Sequence, residues 1–262
     1  MIQAVRPRNR ENRQTICTIA TAREDVLDAL RLVHEEYVRS GLTLRNRTGI
    51  RVTQYHLLTT TEILVGNVGG EIACTMSLVR DSRFGLPMEA IYAPEVRERR
   101  RMGKHLAEVS CLADRRDDAE RTLTLMFRMI SLAAQVSRAR GVDEVLIAVH
   151  PRHSKFYERF FGFQGIGDLK YYSSVCGNPA VAMALDLINV KHTNPRAHER
   201  LFGHRFEQED IRPRSFDLEV LEELADIYLE EEETNRRFLT PDGVAQETET
   251  PVTARSTNLA VA

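Results

Sequence analysis

The stretch "EVLIAVHPRHSKFYERFFGFQGIG", residues 144–167, decides the reading of this chain. "EVLIAV" (144–149) is a short, continuous apolar run, as expected of a strand covered on both faces of a sheet. It runs into His150, Pro151, Arg152 and His153. Pro151 stops the strand, and Ser154 is placed to cap a short aromatic helix over 154–161 that ends at Gly162. Strand ends in α/β and mixed sheets are where sites assemble. Two histidines and an arginine at such an end, with Tyr157 one turn behind, therefore mark a candidate site.

Working outward, "TICTIA" (15–20) reads as a β-branched strand. Thr21 and Glu24 form a capping box for a helix carrying Val26, Leu27, Leu30, Val33 and Tyr37, which stops near Gly41. Residues 42–54 are polar and read as loop. "NVGG" separates strands around 56–68 and 71–79, a hairpin signal. An arginine-rich loop leads to a third strand, "HLAEVSCLA" (105–113). A long helix spans 118–140, and "VAMALDL" (181–187) is the last strand. The order β-α-β-β-β-α-β-α-β predicts an α/β fold, a mixed sheet with helices on both faces.

After Leu187 residues 188–216 look irregular, and 217–237 read as an acidic amphipathic helix. The organisation expected is a flexible arm (1–14), a catalytic domain (15–187), a C-terminal extension with its helix (188–238) and a disordered tail (239–262).

Bulk properties narrow the function. The net charge is −2, so no global field favours nucleic acid or a membrane surface. No apolar run reaches the roughly 18–20 residues of a membrane span. The four cysteines are widely spaced, which argues against a zinc site or disulfide framework and suits a reducing cytoplasm. The histidines of "HTNPRAHERLFGH" (192–204) lack helical metal-pair spacing, and no metal is expected.

On the third strand, period-two alternation puts Ala107, Val109, Cys111 and Ala113 on one face. Leu106, Glu108, Ser110 and Leu112 take the other. Glu108 in an apolar strand is costly unless it is paired or has a task. Burial would raise its pKa and make it a useful base near neutrality.

The element order and "HPRHSKFYERFFGF" resemble the GCN5-related N-acetyltransferase superfamily. Within it, "PMEAIYAPEV", "LAEVSCLA" and "VHPRHSKFYERFFGFQGIG" are most similar to the FeeM-type N-acyl amino acid synthases. The resemblance covers about residues 15–187. It implies that the strand before the short helix splays from its neighbour and that the thioester enters the gap. Glu108 would then act as base, and Tyr157 or Ser110 would protonate the thiolate. His150 would lie at the mouth of the gap, with Cys111 and Leu112 against substrate. Arg152 and His153 would hold the phosphopantetheine phosphate or the amino-acid carboxylate. An aromatic acceptor such as tyrosine is what the family suggests. No cofactor is implied beyond the acyl-phosphopantetheine donor itself.

One departure bears on that donor. Ordinary acetyltransferases place a glycine-rich turn before the long helix to cradle the coenzyme A pyrophosphate. Here the segment is "DRRDDAERTL" (114–123), with no glycine and four acids. That favours acyl carrier protein as the donor. "VRERRRMGKH" (96–105) agrees, since Arg97, Arg99, Arg100, Arg101 and Lys104 would suit an acidic carrier. No aromatics interleave these arginines, so nucleic acid is not expected. The alternatives are an acylhomoserine lactone synthase using S-adenosylmethionine, an acyl-CoA N-acyltransferase, and a non-catalytic carrier-binding module. The first is weakened by Cys111 where that family carries arginine, and by the absence of tryptophan.

Overall fold

A computed structural model describes residues 15–115 and 119–238, with backbone alone for 119–122 and 234–238. The expected N-terminal arm, the acids Asp117 and Asp118, and the expected tail lie outside the described residues.

Strand β1 (Thr15–Ile19) leads into helix α1 (Arg23–Arg39). The expected Thr21–Glu24 capping box is not formed. The N-cap is Ala22, and no side chain bonds there. The helix is held by its buried face instead: Val26, Leu27, Leu30, Val33 and Tyr37 are all sequestered.

The hairpin is β2 (Thr61–Val68) and β3 (Glu71–Arg80). Gly69 (φ 65°) and Gly70 (φ 92°) take the left-handed conformations that a tight hairpin turn demands. The expected strand start at 56 is replaced by a single 3-10 turn, Gln54–Leu57. There the Thr53 N–H donates to His56 Nδ1 (2.9 Å), which turns the chain before β2 begins.

The arginine-rich segment read as loop is helix α2 (Glu89–Arg101). Only Tyr92 and Val96 are buried along it, so it shows little apolar periodicity. It is kinked at Tyr92 (φ −119°, ψ 31°), two residues before Pro94.

Strand β4 (Leu106–Asp114) is buried at every position. Helix α3 (Ala119–Ala139), strand β5 (Glu144–Val149) and helix α4 (Pro151–Phe161) follow. Helix α4 starts three residues earlier than expected, with Pro151 in its first turn and His150 as N-cap accepting from the Arg152 N–H (3.2 Å). Ser154 does not cap; its hydroxyl donates to the Pro151 carbonyl (2.8 Å).

Strand β6 (Gln164–Tyr172) was not legible in the sequence, and β7 (Asn178–Asp186) begins earlier than expected. The region read as irregular holds α5 (Val190–Thr193) and α6 (Pro195–Phe202), the latter capped by Asn194 Oδ1 on the Ala197 N–H (3.0 Å). Helix α7 (Leu218–Phe238) is the expected acidic helix.

The seven strands form one sheet, ordered β1-β2-β3-β4-β5-β7-β6. Among described strands only β4 and β5 run parallel. One apolar layer joins the sheet to α3, α4 and α6 through Met129, Phe161 and Leu201. The other joins it to α1, α2 and α7 through Leu30, Tyr92 and Leu224. Burying each such side chain contributes about 1.5–3 kcal/mol.

Helix α3 packs closely because β2 offers Gly66, where an added Cβ would fall 2.7 Å from Leu125 Cδ1. The helix also binds the C-terminal extension. Ser131 Oγ and Gln135 Nε2 donate to the Leu201 carbonyl (2.7 and 2.9 Å), and Arg140 Nη1 donates to that of Ile211 (2.8 Å).

Candidate active site

The site is built around an irregularity in β4. Ser110 pairs with Ser77 and Ala113 with Thr75, so Cys111 and Leu112 together oppose the single residue Met76. This is a β-bulge. Cys111 adopts φ 52°, unusual for a residue with a Cβ. The bulge breaks the expected alternation. Cys111 and Ala113 join the apolar layer on the side of Leu106, while Leu112 turns to the opposite layer with Ala107 and Val109. Glu108, Ser110 and Cys111 are thereby brought toward one face.

On its other edge β4 pairs with β5 over only three positions, Leu106–Glu144, Ala107–Val145 and Glu108–Leu146. Beyond Glu108 the two strands separate. The backbone from Val109 to Leu112 is therefore off the β5 ladder, and at the bulge it is off the β3 ladder too.

Glu108 lies at this fork, fully buried. Its Oε2 accepts from the Met88 N–H (2.8 Å), at the entry to α2, and its Oε1 has no hydrogen-bond partner. Burial is the main cause that pushes its pKa up to about 8, and the nearby Glu89 charge adds to it. The single backbone N–H is too little to offset that desolvation.

Above the fork opens a cavity of about 440 Å3. Ser110 and Cys111 lie on its β4 side, with Tyr55, Tyr172 and Arg51 around them and Tyr228, Glu231 and Glu232 of α7 across it. Arg51 Nη1 donates to Thr43 Oγ1 (3.1 Å) and Nη2 to the Ser174 carbonyl (3.1 Å). Its Nε is buried without a partner, and its guanidinium stacks 5.2 Å from the Tyr37 ring centre. The guanidinium also lies against the Cys111 thiol. It is a positioned cation whose direct bonds go to neutral acceptors. Below, His56 Nε2 meets Ser77 Oγ at 2.9 Å, and burial lowers the imidazole pKa to about 3. The neutral ring, accepting at Nδ1, carries its proton on Nε2 and donates to the serine cross-strand from Ser110.

The remaining sequence candidates separate into groups. Tyr157 is buried on the far side of the sheet, in an apolar seam with Leu112, Val109, Val145 and Ile147. Burial pushes its phenol pKa strongly up. His150 and His153 stand at the start of α4, ring centres 6.2 Å apart, with Arg152 Nε donating to His153 Nε2 (2.9 Å). None of these four lines the cavity.

The basic run is largely neutralised within the fold. Arg99 and Lys104 face Glu144 (3.3 and 3.5 Å), and Arg100 is clamped by Asp81 (2.6 Å) and Glu89. Arg101 pairs with Glu98 on the surface, and Arg97 is exposed. Among the described residues no group of His, Cys, Asp or Glu could hold a metal ion, and no helix is long and apolar enough to cross a membrane.

Sequence reasoning missed Arg51, Tyr55, Tyr172 and the α7 wall. A signal existed for Arg51, an arginine between the buried anchors Ile50 and Val52. The others are joined to the site only by the fold.

Comparisons with known proteins bear on this arrangement. The family model described as N-acyl amino acid synthase FeeM matches residues 28–186. The structure of FeeM, an N-acyl amino acid synthase from uncultured soil microbes, aligns with a TM-score of 0.59 at 25% identity, covering 69% of this chain and 94% of that one. The AHL synthase LasI aligns at TM-score 0.55 and 14% identity, covering 75% and 98%. The CoA-dependent acyl-homoserine lactone synthase BjaI aligns at 0.53 and 17%, covering 81% and 99%. These last two share the fold. A comparison with curated protein sequences finds no match. The family match stops at residue 186, so α5, α6 and α7 lie beyond it.

Proposed function

The chain belongs to the N-acyl amino acid synthase FeeM family and is an N-acyltransferase; from that premise we propose that it moves a long-chain fatty acyl group from an acyl carrier protein thioester to the α-amino group of an amino acid. The observation that carries this reading is Glu108, a buried carboxylate with one unpartnered oxygen at the fork where β4 loses its neighbours.

In this reading the thioester enters between β4 and β5. Glu108, directly or through a water, takes a proton from the acceptor ammonium. The free amine attacks the thioester carbonyl, forming the C–N bond as the C=O electron pair moves to oxygen. Backbone N–H groups at the Ser110–Leu112 bulge hold that oxyanion. The oxyanion pair re-forms the C=O as the C–S bond breaks with its electron pair on sulfur, and the second proton on the nitrogen passes through a water to restore the group that protonates the thiolate. Tyr157 protonates the thiolate from the seam side, or Ser110 does so from the cavity side. The acceptor occupies the cavity with its carboxylate on Arg51. The acyl chain parts the seam between Leu112, Val145 and Ile130, which is closed to about 20 Å3 without it.

The carrier donor is supported by the glycine-free, acidic "DRRDDAERTL". Arg152, exposed at the α4 N-terminus, suits the single phosphodiester of phosphopantetheine. Because Arg99, Arg100 and Lys104 are engaged internally, an acidic carrier would meet chiefly Arg97 and Arg101.

Mass spectrometry of the protein with palmitoyl carrier protein and pooled amino acids, beside palmitoyl-CoA, tests the whole reading. An N-acyl amino acid formed only with the carrier donor is the expected result. Product from CoA alone would overturn the donor, and no product from either would overturn the reaction.

A further inference from the structure

Helix α7 lies outside the family match yet forms one wall of the cavity. Two of its acids pair with cations of the main domain. Glu223 bonds Arg23 in a two-pronged contact (2.6 Å each), and Glu230 pairs with Arg47. These contacts fix the helix over the α1 side of the sheet. The next two residues, Glu231 and Glu232, face the cavity. Asn46 bonds the Glu231 carboxylate, but its Oε2 is buried with no partner.

Among the described lining residues Arg51 is the only Lys or Arg. An amino-acid acceptor brings its own carboxylate, which takes Arg51. Arg51 also acts on Glu231 through space; once the acceptor carboxylate takes it, the described lining offers the two carboxylates no further cation. Both are partly buried, and the unpartnered Oε2 of Glu231 makes its charge costly unless the ligand brings the counter-charge. Tyr55 and Tyr228 also line the cavity, and aromatic rings are compatible with a cation.

Resting on the acyl-transfer reading for the site's use, we propose that the acceptor is a dibasic amino acid. Its carboxylate sits on Arg51, its α-amine faces Ser110 and the Glu108 fork, and its side-chain cation sits between Glu231 and Glu232. These two residues determine specificity and take no part in bond making. A neutral or aromatic side chain would leave both carboxylates uncompensated. Burial already raises the Glu231 pKa, and a cation beside it would draw it back down.

Calorimetry tests this without any acyl donor. Lysine and norleucine are titrated into the full-length protein, with tyrosine as a third ligand. Lysine should bind at least about tenfold tighter than either, the effect of one partly desolvated charge pair. In the double variant Glu231→Gln, Glu232→Gln the preference should fall to within about threefold, through weaker lysine binding and no loss of norleucine affinity. Glu231→Asp should keep most of it, which a merely structural role for α7 would not predict. Thermal melts confirm that each variant is folded.

Norleucine or tyrosine binding as well as lysine, no lysine binding at millimolar concentration, or an undiminished preference in the double variant would each overturn the proposal. Adding palmitoyl carrier protein separates the two ideas. Lysine-selective binding with no acylated product would keep the pocket assignment and remove the acyl-transfer reading. Acylation of neutral amino acids with no lysine preference would do the reverse.

Discussion

Replacing Glu108 with glutamine should change how stability depends on pH, by an amount the structure sets. The folded protein holds the carboxyl at about 8, against an ordinary 4.5. Between those values the native state keeps a proton that the unfolded state has lost, so stability falls as pH rises. The fall levels off above pH 8. The interval from 4.5 to about 8, at about 1.4 kcal/mol per pH unit, amounts to about 5 kcal/mol. Glutamine keeps a carbonyl oxygen for the Met88 N–H but does not titrate. It adds only a constant offset. Urea denaturation of both proteins from pH 5 to 8.5 isolates the slope, because every other titrating group cancels in the difference. Wild type should lose stability relative to Glu108→Gln steadily across the range. A difference that varies by less than about 1 kcal/mol would mean an ordinary carboxyl at Glu108 and would remove the basis for its role as a base. The same group should make wild-type kcat/KM rise with pH to a plateau beyond about 8, and the variant should lose about 10²–10⁴ in turnover.

Other expectations follow from the geometry. Arg51→Gln should raise the acceptor KM by about tenfold or more with a smaller effect on kcat, read in steady-state kinetics at saturating donor, since it removes a charge-assisted contact to substrate. Tyr157→Phe should slow thiol release by about 10²-fold, followed with a thiol-reactive dye; an unchanged rate would assign the proton to Ser110. Gly66→Ala should cost about 1–3 kcal/mol in chemical denaturation, because the new methyl would meet Leu125 and Met129 on α3.

Much of the fold could be read because its elements carry strong local signals. "EVLIAV", the long α3 stripe and the "NVGG" turn each depend on their own residues. Helix α2 escaped because two buried side chains and an internal proline do not make a period. Strand β6 escaped because its exposed sheet-edge sequence, "QGIGDLKYY", offers no alternation, and its ladder to β7 is interrupted twice. At the site, Glu108 and Ser110 share a direction as alternation predicts, since both precede the bulge. Leu112 does not, because the extra residue is imposed by the register between β3 and β4, which no local pattern encodes. Arg51 and Glu231 meet across the cavity from positions 180 apart in the chain, and only the fold brings them together.

The three-pair joint between β4 and β5 also bears on how the molecule assembles. It divides the sheet into two leaves, β1-β2-β3-β4 and β5-β7-β6, each drawn from one uninterrupted length of chain. During synthesis the first leaf can close before residue 144 has emerged, and the second can close on itself afterwards. Helix α3, the link between them, lies against the first leaf through β1, β2 and β3 and waits for the second. The line along which catalysis would part the strands is thus also the line along which folding joins them last.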